Sequence, residues 1–375
     1  MGIVMKVGCV REIKKFEYRV GLTPENVREY VSRGHSICMQ AGAGEGSSFS
    51  DADYKAAGAV VLDTAKEVWD CCDMVVKVKE PLPEEYPFMR ENQIIYTYLH
   101  LAADRGLTNA LLKNKCKAVA YETIRDKNGG LPLLKPMSEV AGRLSIQEGA
   151  KCMEKFMGGM GLLLAGVPGV RRANVVIVGG GVVGTNACKM AVGLGANVTI
   201  LDNNMDRLSY LDDIFGQTIQ TLYSTDTAIE QAVCKADLVV GAVLIPGAAA
   251  PKLIKKSYLK SMKKGSVIVD VAVDQGGCCE TTKATYHDDP CYVVDGVVHY
   301  CVANMPGAVS QTSTIALTNA TLRHGLMIAN LGLEAAMKKE PLLVSGVNCY
   351  LGKLTCKEVA DEFDLQYFDV LNFAS

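Results

Sequence analysis

Five histidines and one tryptophan are all that this chain of 375 residues carries of those two side chains, and its 14 cysteines include no C-x-x-C pair. With every histidine isolated and the cysteines scattered as singles or as the adjacent pairs Cys71-Cys72 and Cys278-Cys279, no metal site with zinc-ligand spacing is visible. The cysteines read as small buried hydrophobes and reduced thiols, which fits a cytoplasmic protein. Charge of one sign is also missing, since 39 Lys+Arg face 41 Asp+Glu and the two are interspersed. Neither a nucleic-acid stripe nor a polybasic membrane patch stands out. The most apolar stretch, Met160 to Val170, is interrupted by Gly and Pro and falls far short of the roughly 20 residues of a membrane helix. No charged and then apolar leader opens the chain, and Lys6 stands where a myristoylation motif needs Ser or Thr. What remains is a globule long enough for two or three domains, each burying a real core.

Periodicity in the first third alternates β-like runs with helical patterns. KVGCV at 6–10, SICMQA at 36–41, DMVVKV at 73–78, IIYTYL at 94–99 and KAVAYE at 117–122 read as strands. Between them Pro24–Arg33 reads as a helix with Thr23 as N-cap, and Asp51–Ala57 as a second. This rhythm predicts a parallel sheet covered by helices. Turn chemistry at Asp126-Lys127-Asn128-Gly129-Gly130 breaks it, and a long helical pattern from Ser138 to about Phe156 leads into a second domain.

That domain opens with ANVVIVGGGVVGTNACKMAVGLGANVTILDNN. Val175–Val178 reads as a buried strand, Gly179-Gly180-Gly181-Val182-Val183-Gly184 matches G-x-G-x-x-G, a helix follows, and the strand Asn197–Leu201 ends in Asp202. Strand, glycines, helix, strand and terminal acid at this spacing are the fingerprint of a dinucleotide-binding unit. Gly179 permits the tight turn, Gly181 admits a pyrophosphate to the backbone, and Gly184 lets helix and strand pack. The helix N-terminus offers its unpaired N–H groups to the anion. Asp202 is expected to accept hydrogen bonds from the adenosine ribose and to repel a 2′-phosphate, favouring NAD over NADP. Arg207 close by reads equally as a solvated helix charge or as an adenosine contact. Further strands are expected near Ile219–Leu222, Leu238–Val243, Val267–Val271 and Val298–Val302, with helices at Thr227–Lys235 and Lys252–Lys263.

Ligands of open α/β sheets bind beyond the carboxyl ends of the strands, so polar residues just past strand ends are candidates. Arg19, Lys77, Lys79, His100, Asp270, Asp274 and Asn304 all fall there. Each has a plainer alternative, because a lone histidine is usually structural and a strand-end Lys or Asp usually solvated. Together they meet one demand: cations for a carboxylate, an imidazole that titrates near neutral pH, and an anion near a positive nicotinamide. Hydride chemistry on a small acid is the expectation.

Long runs containing these residues resemble the NAD-dependent alanine dehydrogenase family: EYRVGLTPENV, QAGAGEGSSFSDADYKAAGA, VKVKEP, YLHLAADR, PLLKPMSEVAGRLS, KADLVVGAVLIPG, VDVAVDQGGC, YCVANMPGAV and TSTIALTNAT. They extend to about residue 320, while the chain after about Lys338 is less similar. The resemblance implies that Arg19 and Lys79 hold the substrate carboxylate and carbonyl, and that His100 and Asp274 are the catalytic pair. It implies cofactor contacts at Ser138, Gly179, Gly181, Val182, Val183, Gly184, Asp202, Arg207, Ser224, Val243, Leu244, Asn304 and Met305. It further implies an α/β fold of two Rossmann-like domains, each a doubly wound, mainly parallel sheet. The NAD-binding domain, residues 133–310, would be inserted into a substrate domain made of 1–132 and 311–375, with two connections suited to hinge closure. L-alanine, pyruvate and ammonia would be the substrates, NAD the cofactor, and a homohexamer the assembly. Four alternatives stay open: the NAD(H)-binding subunit of a proton-translocating transhydrogenase, a 2-hydroxy acid dehydrogenase, a broader specificity that includes glycine or glyoxylate, and a non-enzymatic NAD-binding module.

Overall fold

The computed structural model describes residues 3–243 and 250–372. Its strands run in chain order as β1 Lys6–Cys9, β2 Ser36–Gln40, β3 Val60–Leu62, β4 Met74–Val76, β5 Ile94–Thr97 and β6 Lys117–Ala120. After the helix Lys135–Cys152 come β7 Asn174–Val178, β8 Asn197–Asp202, β9 Ile219–Tyr223, β10 Leu238–Gly241, β11 Val267–Asp270, β12 Cys291–Val294 and β13 Val297–Tyr300. The chain closes with β14 Val347–Tyr350 and β15 Lys353–Leu354. Two compact units result: Met1–Met137 with Val309–Ser375, and the uninterrupted segment Ser138–Ala308.

The first unit holds a sheet in the order β15-β14-β6-β5-β4-β1-β2-β3. β1 to β6 are mutually parallel, and β14 and β15 add antiparallel at one edge. All residues of β4 and β5 are buried, as parallel strands covered on both faces require. The chain steps outward from β1 to β2 and β3, then returns past β1 to β4, so the winding reverses between β1 and β4. The helix Pro24–Ser32 starts as its sequence suggests, with a capping box between Thr23 and Asn26 and Pro24 in the first turn. The core packs around Trp69, which is wholly buried.

The second unit holds a sheet in the order β12-β13-β11-β10-β7-β8-β9, parallel except for the β12–β13 hairpin. Here the winding reverses between β7 and β10, which is the doubly wound dinucleotide topology.

Several expectations are corrected. The helical pattern that the sequence carries from Thr312 to Lys338 folds as two helices, Ser310–Leu331 and Leu333–Lys339, because Gly332 between them has φ +77°. The helix expected over Lys252–Lys263 shrinks to Lys256–Leu259, since Ile254 is instead extended against Cys278 and Glu280 through two backbone hydrogen bonds. β3, β12, β14 and β15 were not anticipated. β12–β13 and β14–β15 are hairpins with two-residue loops whose residues lie at positive φ: Asp295 and Gly296 in one, Leu351 and Gly352 in the other. Asp-Gly between two apolar runs is the turn signal that would have found the first. Among the described residues no helix is long and apolar enough to cross a membrane.

Candidate active site

In the first unit the chain segments leaving β1, β4 and β5 carry Arg19, Lys79 and His100, so all three lie at carboxyl strand ends around the winding reversal. A buried or half-buried carboxylate supports each one. Glu17 grips Arg19 with both oxygens, accepting from Nε at 2.7 Å and Nη2 at 2.6 Å, while its Oε1 also accepts the Arg19 backbone N–H at 3.1 Å. Arg19 Nη1 lies 3.0 Å from the Met137 sulfur. The pair is buried, and although burial opposes the charge, Glu17 holds the guanidinium pKa above its ordinary value. A fork of this kind aims a guanidinium at a fixed angle, as recognition of a second carboxylate demands.

Glu12 performs the equivalent task after β4. Its Oε1 accepts the backbone N–H groups of Val78 at 2.6 Å and Lys79 at 3.2 Å. Burial pushes the Glu12 carboxyl pKa up, opposed by the neighbouring ammonium of Lys77. Lys77 and Lys79, two residues apart, have opposite fates. Lys77 is wholly buried, paired with Glu12 at 3.1 Å and Glu85 at 3.0 Å, and is a structural lysine rather than a substrate group. Lys79 is half-buried, and its pKa is lowered first by burial and then by the charge of Arg19. Two cations too close for comfort make a site that an anion would relieve.

His100 is exposed and sits in the left-handed region, φ 49° and ψ 38°, before the short turn Leu101–Ala103. Glu122, after β6, accepts the backbone N–H of His100 at 2.7 Å and of Leu99 at 3.0 Å through one oxygen. Two successive amides drawn to one carboxylate hold the turn that carries the imidazole clear of the strand. The ring stacks on Tyr98 at 5.9 Å between centroids and 14° between planes, and Tyr98 donates its hydroxyl to the Leu133 carbonyl at 2.7 Å. His35 and His299 are different: both are buried and hydrogen-bonded through both ring nitrogens.

The second unit assembles the glycine loop at its own winding reversal. Gly179 has φ +106°, which a side chain would strain, and a Cβ there would meet the Ala242 carbonyl oxygen at 2.8 Å. A Cβ on Gly184 would lie 1.8 Å from the Gly179 oxygen, so only glycine lets the helix Val182–Gly193 approach β7. Gly181 is the opposite case: a Cβ would meet nothing within 4 Å, and the backbone faces open space. Val182 is exposed at the helix start and Val183 is buried. Asp202 ends β8 and accepts the Gly180 N–H at 2.6 Å through Oδ2 and the Asn204 N–H at 2.8 Å through Oδ1. Arg207 is half-buried rather than a freely solvated helix charge. It braces the loop, donating to the Gly180 carbonyl and the Thr185 hydroxyl, with its guanidinium 4.6 Å from the Tyr210 ring centroid.

Ser224, whose N–H donates to the Asp202 carbonyl at 3.0 Å, follows β9, and Val243 follows β10. Asn304, at φ +59°, and the buried Met305 follow β13. Ser138 is half-buried in the first turns of the helix Lys135–Cys152. Leu244 lies outside the described residues. Asp274 is exposed on the short turn Val273–Gln275 beyond β11, whereas Asp270 is fully buried and accepts from the Ala272 and Cys279 N–H groups and the Thr282 hydroxyl. Asp270 is therefore structural. Glu12, Glu17 and Glu122 are the supports that sequence reasoning missed: the partners of Glu12 and Glu122 are distant in the chain, and Glu17, two residues from Arg19, shows its bidentate grip only in the folded loop.

Family models match most of the chain: alanine dehydrogenase/PNT N-terminal domain over residues 8–141 and alanine dehydrogenase/PNT C-terminal domain over residues 145–357. An alanine dehydrogenase from Halomonas elongata is 54% identical over 365 residues, covering 97% of this chain and 98% of that protein. A solved L-alanine dehydrogenase superposes with a TM-score of 0.94 at 52% identity, covering 96% of this chain and 99% of that one. A solved transhydrogenase from Sinorhizobium meliloti reaches a TM-score of 0.80 at 22% identity, with 94% and 99% of the two chains covered, and shares the fold.

Proposed function

The chain belongs to the alanine dehydrogenase/PNT family, and from that premise we propose that it catalyses the reversible NAD-dependent oxidative deamination of L-alanine to pyruvate and ammonia. The observation that carries the reading is the convergence of Arg19, Lys79 and an outward-turned His100 at the winding reversal of one sheet, in a chain 54% identical to an alanine dehydrogenase. The overall change takes L-alanine, NAD and water to pyruvate, ammonium, NADH and a proton.

NAD, when bound, supplies the hydride acceptor. The residues present fit it: Gly181 leaves open space where a side chain would obstruct a pyrophosphate, the helix N-terminus at Val182 offers amides, and Asp202 stands at the end of β8. Gly179, Val183, Gly184, Arg207, Ser224, Val243, Asn304, Met305 and Ser138 complete the proposed cradle. The Asp202 carboxylate would repel a 2′-phosphate, and so NAD is preferred over NADP.

Arg19 and Lys79 bind the substrate carboxylate, with Lys79 also reaching the carbonyl of pyruvate, and thereby orient the α-hydrogen. Holding a substrate in this way contributes several orders of magnitude in rate. His100 moves the proton as water adds to the imine and the carbinolamine collapses. Asp274 orients the attacking water or the departing amine. The aromatic support of Tyr98 and the carboxylate of Glu122 keep the imidazole where that transfer is made.

A 22% identity carries the transhydrogenase fold but not its activity, and the subunit reading is not favoured. By resemblance to the family we place the protein in a homohexamer, testable by light scattering. Fourteen free thiols suit the reducing cytoplasm. The deciding experiment is NADH formation from L-alanine and NAD by the purified protein, repeated with NADP, serine and glycine, and in reverse with and without ammonia. No NADH from alanine, or pyruvate reduction that needs no ammonia, would overturn the proposal.

A further inference from the structure

Three cysteines of the first unit meet away from Arg19, Lys79 and His100. Cys38 lies on β2, Cys71 ends the helix Ala65–Cys71 and Cys72 caps it. The Cys71 sulfur is 3.7 Å from that of Cys38 and 3.5 Å from that of Cys72, and all three fall within 4.8 Å of one another. We propose that Cys38, Cys71 and Cys72 form a trigonal three-sulfur site for a soft monovalent metal ion of the copper(I) class.

The geometry supports this choice of ion. Three sulfurs around a central ion, each at about 2.3 Å as in zinc thiolates, stand about 4.0 Å apart. Two of the sulfur separations, 3.5 and 3.7 Å, fall slightly short of that distance and the third is within 4.8 Å, so closure on an ion needs side-chain adjustments of under about 1 Å. Zinc in a structural site takes four protein ligands, and among the described residues no fourth histidine, cysteine or carboxylate joins the group. Thiolate sulfur selects copper(I), which is content with fewer ligands.

The surroundings are arranged for the cluster. Gly8 on β1 faces Cys72: a Cβ there would lie 2.8 Å from its sulfur and 2.6 Å from Val68, so a bare glycine gives the thiol its seat. Cys38 and Cys72 are buried and Cys71 is half-buried, which leaves a way in from the Cys71 side. The incoming ion displaces the thiol protons to solvent, with no change of oxidation state.

A second sulfur pair, Cys152 and Cys291 at 3.4 Å, offers two-coordinate binding and is silenced by Cys291→Ser in the test. The reduced Cys291→Ser protein, kept free of oxygen, is titrated with copper(I) against a colorimetric copper(I) chelator. One copper per chain withdrawn from the chelator, with X-ray absorption reporting three sulfur neighbours, is the expected result. Loss of an outer support in a metal site costs about 10–100-fold in affinity, so removing a ligand by Cys38→Ser or Cys71→Ser should weaken binding at least tenfold. Far-UV circular dichroism confirms that each variant is folded; the half-exposed Cys71→Ser keeps the test decisive if Cys38→Ser is not. Failure to withdraw copper, two-sulfur coordination, or undiminished binding by folded Cys71→Ser would overturn the assignment.

Discussion

Glu122→Ala tests whether the turn that carries His100 is made by the fold or merely tolerated by it. The carboxylate accepts two successive backbone amides, at 2.7 Å from His100 and 3.0 Å from Leu99, and so holds His100 at φ 49°. A left-handed residue other than glycine costs about 1–2 kcal/mol, whereas hydrogen bonds to a charged group contribute about 1.5–3 kcal/mol each. With the carboxylate present the bonds outweigh the strain; without it the strain alone acts. A penalty of about 1–2 kcal/mol lowers the population with the imidazole in place roughly 5- to 30-fold. Alanine-dependent turnover should fall by that factor in steady-state assays, while NAD affinity, measured by quenching or calorimetry, stays as in the parent. Glu122→Gln retains one acceptor oxygen and should lie between the two. Turnover within about twofold of the parent in Glu122→Ala would refute the idea that this carboxylate positions His100.

His100→Ala and Asp274→Ala should each lower turnover by about two or more orders of magnitude with NAD binding intact, and near-normal turnover in either would remove that residue from the chemistry. Gly184→Ala, whose Cβ would fall 1.8 Å from the Gly179 oxygen, should lower the melting temperature, whereas Gly181→Ala should leave stability unchanged and weaken NAD binding; identical behaviour of the two would contradict the loop assignment. Lys77→Met strands the buried carboxylates of Glu12 and Glu85 and should cost about 3–5 kcal/mol in denaturant unfolding, an effect absent if the lysine were a solvated strand end. Because burial and then Arg19 lower the Lys79 pKa, its charge is lost on raising the pH before an ordinary lysine would lose its own. The KM for pyruvate should therefore climb at alkaline pH, and Lys79→Arg should move that climb higher; a pH-independent KM would count against Lys79 as the carboxylate ligand. The same shift has the folded chain binding fewer protons than the unfolded one between the lowered and ordinary values, so this group's contribution to stability rises with pH across that window.

The glycine loop was legible in the chain because everything that makes it is local: a strand, three glycines, a helix start and an acid fall within one βαβ unit, and two of the glycines, Gly179 and Gly184, have a steric reason to be where they are. The same holds for the capped helix at Pro24 and for most central strands, whose apolar runs admit no other placement. Edge strands were lost for a related reason, since β3 and β15 are too short to carry a pattern and β12 is half solvated.

Sequence by itself determined the fold class, the dinucleotide unit and the types of residue at the strand ends. Only the tertiary structure decided which of those residues are available for chemistry. Lys77 and Lys79, or Asp270 and Asp274, are near-equivalent in sequence, yet one of each pair is sealed among its partners and the other is open to a ligand or to solvent. That choice depends on Glu12, 65 residues from Lys77, and on Glu85, Cys279 and Thr282, which the chain folds back onto the groups they seal. The support of His100 is likewise a matter of the fold, since Glu122 is 22 residues away, whereas Glu17 is two residues from Arg19 and the fold decides only the angle of its grip.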